Sequence, residues 1–67
     1  MKLLINGSAN EYSEDYRTIA ELLSRSEWSG RLIIVELNGG IINREDYEKV
    51  SLADGDRIEL VHFVGGG

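Results

Sequence analysis

No part of this 67-residue sequence limits how it can fold as strongly as its ending. The last seven residues, Val61-His62-Phe63-Val64-Gly65-Gly66-Gly67, read as an apolar strand that runs into three glycines and stops at a free carboxylate. Glycine loses more backbone freedom on ordering than any other residue and brings no side chain to bury. Three in succession are therefore expected to stay mobile unless something grips them. That divides the chain into a folded domain over residues 1–64 and a flexible tail over 65–67. The dull explanation of the tail is a linker scar or a frayed end. Against it, Phe63 and Val64 keep the strand apolar up to the first glycine, whereas linkers are usually long and serine-rich. Taken as a tool, the tail is a slender peptide without Cβ atoms, able to thread a narrow channel and present its carboxyl group to another protein's active site.

Composition narrows the rest. A chain this short buries only about 60% of the surface its unfolded form exposes, so one thin core is expected and a deep pocket is not. Without cysteine there is no disulfide, no thiolate nucleophile and no sulfur ligand, as suits a reducing cytoplasm. Seven basic residues against twelve acidic ones give a net charge of −5, the wrong sign for gripping phosphate backbones. Nucleic acid is thus an unfavoured partner, and a positively charged protein surface a favoured one. The opening Met1-Lys2-Leu3-Leu4-Ile5 is cut off by Asn6-Gly7-Ser8, well short of a signal-peptide core or a membrane span.

Along the chain, Lys2 to Asn6 is expected to form a strand that turns at Asn6-Gly7-Ser8, with Asn10 to Ser13 returning antiparallel. The period of two puts Leu3 and Ile5 inward and leaves Leu4 exposed on the sheet. Thr18-Ile19-Ala20-Glu21 matches a capping box, with the threonine hydroxyl and the glutamate each satisfying an orphan amide. A helix should start there, with Ile19, Leu22 and Leu23 as its apolar stripe. Gly30 is expected to end the following connection, and Trp28 to lie as a lid over the core edge. Leu32 to Leu37, apolar and rich in β-branched residues, has the look of a central strand. Asn38-Gly39-Gly40 then turns the chain so that Ile41-Ile42 can pair back. Arg44 to Lys49 is a charged turn with Tyr47 and Val50 inward, and Asp54-Gly55-Asp56 a second tight turn. In the last strand Ile58, Leu60 and His62 share one face, and Glu59, Val61 and Phe63 the other. The order is an α+β pattern of β-grasp type: a mixed sheet of four to five strands packed against one main helix. With the last strand beside the first, the tail is expected at a sheet edge.

Few residues carry chemistry of their own. Glu14-Asp15, Glu45-Asp46 and Asp54-x-Asp56 are better read as solvated turns than as carboxylate pairs or metal ligands, since a calcium loop needs a longer ordered set of oxygens. His62 is the only histidine, without a serine or cysteine arrangement that would make it a base. Asn38-Gly39-Gly40 lacks the lysine and following helix of a phosphate loop. The informative surface is apolar instead. Outward Val61 and Phe63, with Val64 leading on and Leu4 on the neighbouring strand, form a candidate partner patch that would hold the domain and aim the carboxylate in one docking event.

Several stretches together resemble a known family: Met1-Lys2-Leu3-Leu4-Ile5-Asn6-Gly7, then Leu37-Asn38-Gly39 with Ile41-Ile42-Asn43-Arg44, Asp54-Gly55-Asp56 and Val64-Gly65-Gly66-Gly67. In this order they resemble the ThiS family of thiamine-biosynthesis sulfur carriers, across nearly the whole chain. Two positions depart from its pattern, Asn43 where proline is frequent and Tyr47 where tryptophan is. The resemblance implies a ubiquitin-like β-grasp protein that is itself no enzyme. Its Gly67 carboxylate, presented with Gly65 and Gly66, is adenylated by an E1-like, ThiF-like adenylyltransferase and converted to a thiocarboxylate. A sulfur donor such as a cysteine desulfurase supplies the sulfur, and a ThiG-like thiazole synthase accepts it. ATP and magnesium belong to the partner, and this chain holds no cofactor or metal. Three alternatives stay open: a carrier like the small subunit of molybdopterin synthase, a ubiquitin-like protein modifier, and a non-catalytic binding domain of β-grasp type.

Overall fold

The computed structural model describes residues 1–25 and 32–62, the last by its backbone only. Trp28, Gly30, the His62 side chain and Phe63 to Gly67, all assigned roles or positions from the sequence, lie outside the described residues. Five strands, one α-helix and one 3-10 turn follow in order: β1 (Lys2–Ile5), β2 (Ser8–Glu11), α1 (Ile19–Ser24), β3 (Ile33–Leu37), β4 (Gly40–Ile42), the 3-10 turn Arg44–Asp46 and β5 (Arg57–His62).

The strands form a single mixed sheet in the order β2-β1-β5-β3-β4, with β1 and β5 parallel and every other pair antiparallel. This is the expected ubiquitin-like β-grasp arrangement, with one correction. β5 does lie beside β1, but β3 takes its other side, so the strand leading to the tail is the centre of the sheet and not its edge. Burial gives the reason. Ile58 is 0% and Leu60 4% exposed, and a strand so covered gains by pairing on both sides, where no backbone donor or acceptor is left unmatched. β3 is interior as well, one place off centre.

Turn chemistry fixes the hairpins. Asn6 and Gly7 have φ of 51° and 83°, as a two-residue hairpin turn requires, so Ile5 faces Ser8 and β2 begins two residues earlier than expected. Asn38 and Gly39, at 50° and 90°, repeat the device between β3 and β4.

α1 has six residues, too few to persist alone, and its first turn is held from outside. Thr18 Oγ1 accepts from the Glu21 amide at 3.2 Å. The amides of Ile19 and Ala20 donate to the carbonyls of Val50 and Tyr47 at 3.1 and 2.9 Å, so the loop after the 3-10 turn satisfies amides that a helix start leaves orphaned. The Glu21 carboxylate turns along the helix to Arg25 Nε at 3.2 Å, where the capping-box pattern had it reaching back. Ile19, Leu22 and Leu23 pack against Leu3, Val35, Ile58 and Leu60 to make the core, ringed by half-buried side chains that include Tyr47 and Val50.

Candidate functional site

The tail can act only where β5 delivers it, so the contacts of β5 set the site. Parallel pairing with β1 matches Leu4 to Arg57 and Ile5 to Ile58, but β1 ends there, which would leave the outer part of β5 without a neighbour on that side. Asn6 fills the gap. Its Oδ1 accepts from the Leu60 amide at 2.7 Å and its Nδ2 donates to the Leu60 carbonyl at 3.2 Å, so one side-chain amide imitates a further residue of β1. On the other side β3 pairs with β5 out to Ile33 and His62. Turn geometry alone explains an asparagine at position 6. Its clamp on β5 is invisible in sequence, because the partner lies 54 positions away.

Of the residues expected in the partner patch, two are described. Val61 is 53% exposed on the outer face and pairs across the ladder with Ile34, itself 36% exposed. Leu4 is half-buried, not exposed, and registers with Ala9 and Arg57. Arg57 precedes Val61 by four residues, about 13 Å along a strand, with outward Glu59 between them. The sheet therefore separates Leu4 from Val61 and brings Ile34 to Val61 in its place. Leu32 and Ile41, 62% and 68% exposed, are further outer apolar residues that the sequence reading left out. Ile34 was legible: Val35 buried in a half-covered strand sends both neighbours outward. Glu36 stands directly opposite Glu59 on this same face, and Ile41 registers with Glu36 from β4.

Asp54 and Asp56, in the turn before β5, are engaged in structure. Asp54 Oδ1 accepts from the Lys2 amide at 2.6 Å, and Asp56 accepts from the Ala53 amide at 2.8 Å and from Asn38 Nδ2 at 3.0 Å. Those bonds tie the turn before β5 to β1 and to the β3–β4 turn. At the opposite end of the sheet from the last residue of β5, the Met1 ammonium sits 3.1 Å from Glu14 and 3.5 Å from Glu11 and donates to the Tyr12 carbonyl at 3.0 Å. The hydrogen bond to Glu14 raises the amine above its ordinary value of 8.0. Partial burial opposes that shift, and the remaining attraction of Glu14 and Glu11 adds to it. No helix is long and apolar enough to cross a membrane among the described residues.

Comparison with known proteins adds to this geometry. The family model described as the ThiS family matches residues 3–67, glycines included. The chain is similar to the sulfur carrier protein ThiS of Bacillus subtilis, 45% identical over 65 residues that make up 97% of this chain and 98% of that one. It is 39% identical over its full length to part of a thiazole synthase of Paramagnetospirillum magneticum, of which it spans only 20%. Among solved structures, the crystal structure of the thiamine biosynthesis protein ThiS of Geobacter metallireducens matches with a TM-score of 0.84 at 33% identity, covering 100% of both chains.

Proposed function

The chain belongs to the ThiS family, the sulfur carriers of thiamine biosynthesis, and from that premise we propose that Gly67 is the group on which the sulfur travels. The observation that carries this reading is that the family match runs through the terminal glycines, which a folded domain has no reason of its own to keep.

A terminal carboxylate, with a reference pKa of roughly 3.3 to 3.7, is ionised at neutral pH and a poor electrophile. One of its oxygens attacks the α-phosphorus of ATP and pyrophosphate leaves, giving an acyl-adenylate with AMP as leaving group. Hydrosulfide then adds to the acyl carbon and AMP departs, leaving the thiocarboxylate. If the donor is a cysteine desulfurase persulfide, the product of that attack is an acyl disulfide, and a second thiol must reduce the S–S bond to free the thiocarboxylate. A chain with no cysteine thereby carries sulfur as a nucleophile. ATP and magnesium are bound by a ThiF-like, E1-like partner, so this chain is a co-substrate and not the catalyst. A ThiG-like thiazole synthase is the acceptor, supported by the full-length likeness of this chain to part of proteins that bear that name. A cytoplasmic setting is part of the same reading.

Val61, with Phe63 and Val64 beyond it, is proposed to guide Gly65, Gly66 and Gly67 into the partner's channel; Leu4, across Glu59 from Val61, has a weaker claim. Deleting Gly66 and Gly67 tests the reading. The truncated chain should melt as the full chain does yet support no ATP–pyrophosphate exchange by the adenylyltransferase. Exchange at the full rate would refute the proposal, and covalent adducts of Gly67 with lysines would favour a protein modifier.

A further inference from the structure

We propose that the adenylating partner docks on the outer sheet face around Ile34, Val61, Glu36 and Glu59, and seats an arginine or lysine over the two carboxylates. This deepens the carrier reading and rests on it. Glu36 and Glu59 are directly opposite each other in the β3–β5 ladder, where side chains stand about 5 Å apart and like charges repel. Among the described residues no hydrogen bond or ion pair engages either carboxylate. Arg57, two residues before Glu59 on the same face, pairs with neither.

Apolar residues border this acid pair on two sides. Ile41 registers with Glu36 from the edge strand, and Ile34 with Val61 is the next outward pair of the same ladder toward the tail. A partner covering the apolar residues would take the carboxylates partly out of water, where a guanidinium or ammonium between them forms charge-assisted hydrogen bonds. Charge complementarity selects which partner. An enzyme that binds ATP must gather cations about the triphosphate and about the charge that develops at phosphorus. Its mouth is thus a surface that attracts a chain of net charge −5, and Glu59 and Val61 lie on β5, the strand that leads into the last residues of the chain.

The test compares Glu36→Gln/Glu59→Gln with Glu45→Gln/Glu48→Gln, which makes the same change in charge at exposed positions of the 3-10 turn and the residues after it. Removing the opposed charges should leave melting unchanged or higher. In ATP–pyrophosphate exchange with a ThiF-like adenylyltransferase, the first variant should raise the KM for the carrier roughly tenfold or more and flatten its salt dependence. Its kcat should stay within about twofold, the signature of lost docking rather than lost chemistry. An unchanged KM, an equal rise in the control variant, or a loss confined to transfer onto thiazole synthase would overturn the docking proposal. Wild-type protein unable to support exchange would overturn the carrier reading, and this proposal with it.

Discussion

Asn6 shows how much one side chain can settle. Its backbone, at φ 51°, forms the first hairpin turn, and its amide then clamps Leu60 from both sides. Asn6→Ala should cost about 1–3 kcal/mol, because it strands the Leu60 amide and carbonyl as well as removing two bonds. Hydrogen exchange locates the effect: the Leu60 amide should lose protection beyond the global change in stability, and equal protection would contradict the assigned role. At the other end of the sheet, the Met1 amine titrates above 8.0 in the folded chain, chiefly through Glu14. Its contribution to stability is therefore complete below the unfolded value and lost as pH rises through the folded one. Melting temperature should fall more across that alkaline window in wild type than in Glu14→Gln. Parallel profiles would show that the ion pair contributes nothing.

At the scale of elements, local signals were legible and neighbours were not. Thr18 marked the start of α1 because a cap is a matter of three residues. Its loss in Thr18→Ala should cost about 0.5–2 kcal/mol by thermal or chemical unfolding. The carbonyls of Tyr47 and Val50 that complete the same helix start come from some thirty residues away, and no spacing announces them. Asn43, where the family often has proline, is explained by its backbone. It has φ −76° and ψ 148°, close to what proline imposes, and follows Ile42 in extended conformation. Leu37 and Gly40 close the turn, so ladder alternation points the Asn43 N–H away from β3. Asn43→Pro should stabilise the protein by about 0.4–1 kcal/mol in urea unfolding, and a loss of stability would show that this N–H is engaged.

Across the whole molecule, β5 is a central strand gripped by β1, β3 and Asn6, and the residues after it carry the proposed chemistry. Alternation in Arg57 to His62 told which side chains face the core. It could not tell whether one strand or two lay alongside, and so the tail was expected at an edge. The same limit separated Leu4 from Val61 and hid the pairing of Ile34 with Val61, since a patch is assembled by register and register is not written in either strand alone. Family likeness, carried by the two ends and the turns, reached the function that periodicity could not. The claim that matters most is that Gly67 carries sulfur, and intact-mass measurement tests it most directly. After incubation with a ThiF-like adenylyltransferase, ATP-Mg and sulfide, the chain should gain the mass of one oxygen replaced by sulfur, with fragmentation placing the change at Gly67. An unchanged mass, under conditions in which the same enzyme converts the Bacillus subtilis carrier, would contradict it.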